Sequence, residues 1–338
     1  MAADLAGAVR AGEWWDHKLV PILTAFYATA VLVGAPVAAL WPQLLALLLA
    51  MLAGAAFVSV LNDLADEEED RAAGKPNRMA GRSRRFRAAA LAAPIAAGAA
   101  FMLLWRDDPA LLAAYLAAWL AFAAYSLPPL RLKVRGLAGL LADASGAHLF
   151  PTLVAILLAF RAAAAPVDPL WLAAGACWAL GYGLRGILWH QLADRDHDRR
   201  AGVPTFAERH PPIVAARVAA LVAFPLELAG LGLLLWRIGQ ALPLLLLLAY
   251  LLMTLLRLRL WRMNAVVAAP APRYFILLHE YYDVFLPVAL LAASALAHPI
   301  DLAVLAVHLL LFRRRPIEVA QTAFYLAATL ARRALQSR

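Results

Sequence analysis

Cysteine is nearly absent from this sequence, and charged residues are scarce. The single cysteine, Cys177, lies within an apolar run, so a fold stabilised by intrachain disulfides is excluded. Charged residues make up 16% of the 338 residues, compared with about 25% in soluble domains. Hydrophobic residues make up 64%, compared with about 45–50% in soluble domains. This balance indicates a membrane protein.

The N-terminal segment lacks the features of a removable signal peptide. Residues 1–18 contain no basic start followed by a short apolar core and a cleavage site. We therefore expect residues 1–18 to form a cytoplasmic N-terminal segment. Residues 19–297 are predicted to form one transmembrane domain, and residues 298–338 short apolar and amphipathic helices.

Long apolar runs dominate the rest of the chain. A helix needs about 20 apolar residues to cross the hydrocarbon core of a bilayer. Nine runs of roughly this length predict an all-α bundle of about nine transmembrane helices. A shorter run covers 302–312, and 318–338 is predicted to be an amphipathic helix in the membrane interface. The nine runs are 19–41, 44–61, 86–105, 110–127, 137–160, 169–189, 213–236, 241–261 and 275–297.

Basic residues are distributed unequally between the two sets of loops. The formal net charge is +9, which in a soluble protein would raise nucleic acid as a partner. Here the lysines and arginines concentrate in alternate loops, and the opposite loops carry little beyond Arg106, Arg161 and Arg237. By the positive-inside rule the charged loops and the N-terminus face the cytoplasm. We therefore expect an inner-membrane protein whose partner is the lipid bilayer rather than nucleic acid.

Two acidic motifs lie at the ends of apolar runs that finish on this charged side. In the first, Asn62, Asp66 and Asp70 recur every four residues, which places them on one face of a helix. In the second, Asp194 and Asp198 have the same spacing. Both motifs lie at the same predicted depth in the membrane and on the same side of it, which predicts that they share one site. The repeated motif also suggests a distant duplication of a helical unit.

Carboxylates at this spacing repel one another unless a cation lies between them. Mg²⁺ prefers oxygen ligands and is bound through one or two carboxylates plus substrate phosphates. Two facing clusters could therefore hold Mg²⁺ across one diphosphate, with Asp66, Asp70, Asp194 and Asp198 as the catalytic carboxylates. The alternative is a pair of solvated acidic loop ends. Ionisable clusters at membrane helix ends favour the functional interpretation.

Cations and hydroxyls suited to phosphate oxygens accompany the acidic motifs. Two cations follow the first motif, and further ones follow the prolines at 128 and 129, which stop the helix and fix a turn. Taken alone, basic loop residues are usually positive-inside signals, but beside two acidic ladders they favour diphosphate binding. The residues assigned to the diphosphate on this ground are Lys75, Arg78, Tyr125, Arg131 and Lys133.

Weaker signals concern the acceptor side of the site and the last long run. Asp63, Ser126, His190 and Gln191 are assigned either to acceptor contact or to support of the carboxylates. In 279–283, a histidine and an aspartate share one helix face, but a zinc signature is excluded because the second histidine is missing. We interpret this pair as an interfacial polar belt, with an acceptor-contacting patch as the alternative.

Together, the motifs NDxxDxxxD, YSxPPxRxK and DxxxD resemble those of the UbiA superfamily of intramembrane prenyltransferases. The resemblance covers about 14–297 and implies nine helices around a central cavity, with a diphosphate at its cytoplasmic mouth. It adds Lys18 to the diphosphate-binding cations. It also implies Mg²⁺ as the cofactor, held through Asn62, Asp66, Asp70, Asp194 and Asp198.

The function expected from the resemblance is transfer of a prenyl group from a polyprenyl diphosphate to an unidentified, lipophilic or aromatic acceptor. The stretches 78–83 and 185–191 depart from the pattern of aromatic-acceptor members, so the acceptor stays open. Transfer of a sugar phosphate to a polyprenyl phosphate, or cyclisation of the prenyl chain, would use the same fold. A non-catalytic lipid-binding protein is a further alternative, which the two intact acidic motifs disfavour.

Overall fold

The computed structural model describes residues 11–336, so residues 1–10, most of the predicted N-terminal segment, lie outside the described residues. This part of the chain forms fourteen helices and one pair of short strands. In chain order the helices are α1 (11–32), α2 (Val37–Ala65), α3 (Glu67–Ala73), α4 (Arg84–Leu104), α5 (Pro109–Ser126), α6 (Leu137–Ala162), α7 (Pro169–Ala193), α8 (Arg195–Ala201), α9 (Phe206–Arg209), α10 (Pro212–Ile238), α11 (Ala241–Trp261), α12 (Tyr281–Ala297), α13 (Asp301–Leu311) and α14 (Arg314–Gln336).

The predicted all-α fold is confirmed, and every predicted apolar run contains a helix. Within residues 11–336, six helices are long and apolar enough to cross a membrane: α2, α4, α5, α6, α10 and α11. The remaining predicted spans correspond to α1, α7 and α12, so the count of nine stays a prediction. The protein is an integral membrane protein.

Two predicted boundaries are wrong. The run 19–41 is two helices, because the chain turns at Gly34, which has φ +69°, and Pro36 adopts an extended conformation. The run 275–297 begins with a strand: β2 (Tyr274–Ile276) pairs in parallel with β1 (Asn264–Val266), and α12 starts only at Tyr281. Strand pairing supplies hydrogen-bond partners for backbone N–H and C=O groups of this loop that lie outside any helix.

The centre of the bundle is the close contact between α7 and α10. Glycines make it possible: a Cβ on Gly181 would lie 2.4 Å from the Glu227 backbone nitrogen. The contact buries an ion pair in which the Arg185 guanidinium donates to both carboxylate oxygens of Glu227 at 2.7 Å. Both side chains are fully buried. Arg185 also donates to the carbonyls of Val267 and Leu277, which fixes the strand-bearing loop against α7.

The C-terminal helices follow the predicted order. Asp301 at the start of α13 accepts hydrogen bonds from the backbone N–H groups of Val37 and Ala38, at 3.0 and 2.7 Å. The amphipathic helix α14 begins at Arg314, earlier than the predicted 318, and residues 337 and 338 lie outside the described residues. Its place in the membrane interface stays a prediction.

Candidate active site

The two acidic motifs have the same local backbone geometry. Helix α2 ends at Ala65 and α3 begins at Glu67, so Asp66 lies at a break. Helix α7 ends at Ala193 and α8 begins at Arg195, so Asp194 lies at an equivalent break. The predicted continuous ladders are therefore interrupted.

Backbone hydrogen bonds with helical spacing nevertheless persist across both breaks. The N–H groups of Asp66 and Asp70 bond the carbonyls four residues earlier, at 2.9 and 2.8 Å. The N–H groups of Asp194 and Asp198 do the same, both at 2.9 Å. The predicted four-residue spacing thus still orders the carboxylates in each motif.

Both short helices end at a glycine in the left-handed conformation. Gly74 has φ +67° and Gly202 has φ +66°, a backbone region that glycine adopts without a steric penalty. In each case the next residue donates its N–H to the carbonyl of the last motif aspartate: Lys75 to Asp70 at 2.8 Å, and Val203 to Asp198 at 2.9 Å. This glycine-capped ending turns the chain back at the mouth of the site. Helices α3 and α8 contact each other.

A polar cavity of about 380 Å³ lies between the two motifs. All five predicted metal-binding side chains line it, which brings together residues more than 100 positions apart in sequence. Five of the six predicted diphosphate-binding residues and two of the four predicted acceptor or support residues also line it. The predicted residues in this lining are Lys18, Asn62, Asp66, Asp70, Lys75, Arg78, Tyr125, Lys133, His190, Gln191, Asp194 and Asp198.

Three carboxylates in this cavity are paired with lysines. The Lys75 ammonium donates to Asp194 at 2.8 Å. The Lys133 ammonium donates to Asp66 and, at 2.6 Å, to Glu69. Across residues 11–336, no three histidine, cysteine, aspartate or glutamate side chains converge on one point as a ready-made metal site. The ammonium groups instead balance the negative charge of the carboxylates.

Burial raises the pKa of two carboxylates in the cavity, one from each acidic motif. Burial raises the pKa of Asp66, although the adjacent Lys133 ammonium lowers it. Burial also raises the pKa of Asp198, while the hydrogen bond from the Thr205 hydroxyl, at 3.1 Å, lowers it. In both cases burial is the larger effect. Both carboxylates therefore lie where a cation would stabilise the charged form.

Three predicted site residues do not line the cavity but support residues that do. The Ser126 hydroxyl donates to the Asn62 side-chain oxygen at 2.6 Å. The Asp63 carboxylate is fully buried and accepts the backbone N–H of Arg78 at 3.2 Å. Arg131 donates to Glu69 and lies 3.7 Å from Asp66. Asp63 and Ser126 therefore hold parts of the first motif and its loop, and Arg131 lies at the rim.

Four further polar residues line the cavity, and the sequence did not identify them as site residues. Glu69 belongs to the first motif, but the break at Asp66 decides which way it points. Asp143 lies inside an apolar run, and that isolated charge was the signal that could have identified it. The side chains missed in this way are Glu69, Asp143, His197 and Thr205.

An apolar cavity of about 190 Å³ adjoins the polar one. Lys18 and Asn62 line both cavities, so the two spaces meet at these side chains. From there the apolar cavity is lined by α1, α2, α5 and α6, including Phe57, Tyr115 and Trp119. A charged compartment therefore borders a hydrophobic one.

His279 and Asp283 belong to neither cavity, and the interfacial interpretation of this pair is wrong. Asp283 is 1% exposed. Its carboxylate lies 2.8 Å from the His17 ring and 3.5 Å from the Arg315 guanidinium. It is buried because α1, α12 and the start of α14 pack around it. The sequence pattern of a single helix does not predict such a contact between three helices.

The sequence matches the UbiA prenyltransferase family over residues 19–279. No curated protein sequence matches the chain at a significant level. Two solved structures of a UbiA homologue from Archaeoglobus fulgidus are similar to it. The structure bound to GPP and Mg²⁺ has a TM-score of 0.54 and 17% identity, covering 90% of this chain and 99% of the homologue.

The structure bound to DMAPP and Mg²⁺ has a TM-score of 0.56 and 17% identity, covering 88% of this chain and 99% of the homologue. At this identity the likeness establishes the fold. The family match spans most of the chain, from the start of the predicted transmembrane domain to the start of α12. The chain therefore belongs to the UbiA prenyltransferase family.

Proposed function

We propose that this enzyme transfers the prenyl group of a polyprenyl diphosphate to a lipophilic or aromatic acceptor, with Mg²⁺ bound to the diphosphate. One observation carries the proposal: a cavity lined by carboxylates and cations borders an apolar cavity at Lys18 and Asn62. A prenyl diphosphate has the same division between an anionic head and an apolar tail.

The residues of the polar cavity fit Mg²⁺. The donor set consists of oxygen ligands, from Asn62, Asp66, Asp70, Asp194 and Asp198, as this ion prefers. An open arrangement suits Mg²⁺, which keeps several waters and shares substrate phosphates rather than occupying a closed protein cage. When bound, the metal would neutralise the diphosphate as a leaving group. The homologue structures that hold GPP or DMAPP with Mg²⁺ support this proposal.

The lysines have two roles in the proposed site. In the structure, Lys75 and Lys133 balance carboxylates. We propose that they move to phosphate oxygens when the metal-bound diphosphate arrives, so that no carboxylate and no ammonium is left unpaired. Lys18, Arg78 and Tyr125, which line the same cavity, would complete the contacts to the diphosphate.

The acceptor is proposed to enter beside the α7 end of the polar cavity. Gln191 has a buried side-chain nitrogen without a hydrogen-bond partner within residues 11–336, while its oxygen accepts the N–H of Ala207 at 3.2 Å. This unsatisfied donor is available to an acceptor oxygen. The apolar cavity that meets the polar one at Lys18 and Asn62 would keep water away from the allylic carbocation, which water would otherwise quench.

We place the polar cavity on the cytoplasmic side of the inner membrane. The loops that carry Asp70, Lys133 and Asp198 are rich in basic residues, and the opposite ends of the helices are not. On this side the enzyme has direct access to water-soluble Mg²⁺ and can release diphosphate into the cytoplasm.

Incubation of the purified full chain with radiolabelled prenyl diphosphates and membrane extract tests the proposal. We expect a labelled lipid that forms only with Mg²⁺ and extract, and that is absent with Asp66→Ala. A labelled hydrocarbon formed without extract would instead indicate cyclisation. A labelled polyprenyl-phosphate sugar, formed from labelled polyprenyl phosphate only when an activated sugar phosphate is added, would indicate the sugar-phosphate reaction. Absence of any Mg²⁺-dependent binding or product would contradict prenyl-diphosphate chemistry.

A further inference from the structure

The apolar cavity follows α2 and has a measurable depth. Its lining on this helix runs from Asn62, at the junction with the polar cavity, to Ala50. Twelve residues separate these positions, which corresponds to about 18 Å along an α-helix. The cavity therefore extends along α2, away from the acidic motifs, as a channel of about this length.

Tyr115 lies at the far end of this channel and is held in place. Its hydroxyl donates to the Ala50 carbonyl at 3.4 Å, so it is at the same depth as the last lining residue of α2. Its ring contacts Trp105 edge to face, with 5.0 Å between the ring centroids, and Trp119 at 6.0 Å. The residue is 1% exposed. Tyr115 and the aromatic rings around it therefore close the channel.

We propose that Tyr115 sets the upper limit on the length of the prenyl chain that the enzyme accepts. The inference rests on the proposed function. An extended chain advances about 3.4 Å for three main-chain bonds, so about 18 Å holds roughly sixteen bonds, or about four isoprene units. A four-unit geranylgeranyl chain therefore fills the channel as far as Tyr115, and the fifth unit of a geranylfarnesyl chain would meet its ring.

A larger side chain at Gly54 would shorten the channel, whereas a smaller one at Tyr115 would lengthen it. It lines the apolar cavity, and a Cβ built on it meets no atom within 4 Å, so a side chain there would extend into free space. Gly54 is eight residues from Asn62, or about 12 Å along the helix. A leucine at this position would shorten the usable channel to between two and three isoprene units. The channel can thus be lengthened at one residue and shortened at another.

Calorimetric binding of dimethylallyl, farnesyl, geranylgeranyl and geranylfarnesyl diphosphates with Mg²⁺ to the purified full chain tests the inference. We expect Tyr115→Ala to tighten geranylfarnesyl binding relative to geranylgeranyl binding by about tenfold or more, since added apolar burial strengthens binding. Gly54→Leu should weaken farnesyl binding by about tenfold while leaving dimethylallyl binding unchanged, because the side chain blocks only the deeper channel.

Two controls separate chain length from general damage. Tyr115→Phe keeps the ring and should keep the wild-type preference. Gly232→Leu places the same side chain on an exposed position of α10, where a Cβ also meets no atom within 4 Å, and should change nothing. If Tyr115→Ala does not fold, Tyr115→Leu, which also removes the ring but fills more of its space, is measured in its place.

The outcomes distinguish the inference from the proposed function. Wild-type protein that binds none of the four diphosphates contradicts the proposed function. Wild-type protein that binds them, together with a Gly54→Leu variant that has an unchanged chain-length profile, overturns the channel proposal alone. An unchanged profile in a folded Tyr115→Ala variant overturns the role of Tyr115.

Discussion

The Lys75 ammonium lies 2.8 Å from the Asp194 carboxylate, so a cation that follows the first acidic motif is bonded to the second. The two residues are 119 positions apart. Lys133 makes the corresponding contact with the first motif, to Asp66 and Glu69. Each acidic motif therefore has a lysine partner from another part of the chain, and under the proposed function both lysines would exchange a carboxylate for a phosphate.

Asp66→Ala and Asp194→Ala should each abolish turnover while the protein still folds. Each replacement removes one of the carboxylates proposed to hold the metal. We expect a loss of at least about a hundredfold in the product assay, consistent with more than 2.7 kcal/mol of lost transition-state stabilisation. Asp196→Ala is the matched control: Asp196 belongs to the second motif but is exposed and does not line the cavity. Near-normal turnover by either cavity variant would contradict the two-motif metal site.

Lys133→Ala and Asp198→Ala should have separable effects. Loss of one charge-assisted contact to the diphosphate costs about 1.5–3 kcal/mol, or roughly ten- to hundredfold in affinity. Lys133→Ala should therefore weaken diphosphate binding with little change in the Mg²⁺ requirement. Asp198→Ala should instead raise the Mg²⁺ requirement. Titrating each ligand at a saturating concentration of the other measures the two effects separately.

Arg135→Ala is the control for Lys133, because Arg135 is exposed on the same loop and donates to the Pro129 carbonyl at 2.8 Å. It should leave both titrations unchanged. If Lys133→Ala also leaves diphosphate affinity unchanged in neutral detergent, Lys133 only anchors its loop to anionic lipid and does not belong to the site.

The three loops of the proposed site should lie on the cytoplasmic side. In a Cys177→Ser background, single cysteines can replace the exposed residues Arg71, Arg135 and Arg199. We expect an impermeant maleimide to label all three in inside-out vesicles only. A cysteine at Asp107, between α4 and α5, should be labelled in right-side-out vesicles. Opposite accessibility among the first three would rule out a shared site.

Removing one partner of the buried ion pair should destabilise the fold without touching the cavity. Arg185→Met leaves the Glu227 carboxylate buried and unpaired, which typically costs about 3–5 kcal/mol. We expect a lower Tm, partly restored when Glu227→Leu is added. Arg161→Ala breaks an exposed pair with Asp108 and should cost less than about 1 kcal/mol. Equal Tm values for Arg185→Met and wild type would show that the pair does not hold α7 against α10.

Much of the fold and of the site lining could be predicted from the sequence. Apolar runs of membrane-spanning length identified the helices, and the spacing of Asp66 and Asp70 and of Asp194 and Asp198 identified which carboxylates share a face. Both signals are local: each depends only on residues a few positions apart. The family itself was identified from three such local motifs, and the match over residues 19–279 confirms it.

The remaining features depend on contacts between distant segments. Asp143 is a single charge in an apolar run, and only the packing of α6 beside α7 brings it into the polar cavity. The burial of Asp283 depends on three helix ends meeting. The last long apolar run begins with strand β2 and not with a helical turn. This strand forms because it pairs with β1, which lies ten residues earlier. The roles of the site residues themselves stay predictions.

The shared border at Lys18 and Asn62 has a consequence for inhibition. Because the charged and apolar spaces meet only there among the described residues, a molecule that resembles one half of the substrate would occupy one space and leave the other empty. Inorganic diphosphate and a prenyl alcohol would each compete with the substrate but would not exclude one another. Released diphosphate would then still be able to bind beside a lipid product that remains in the channel.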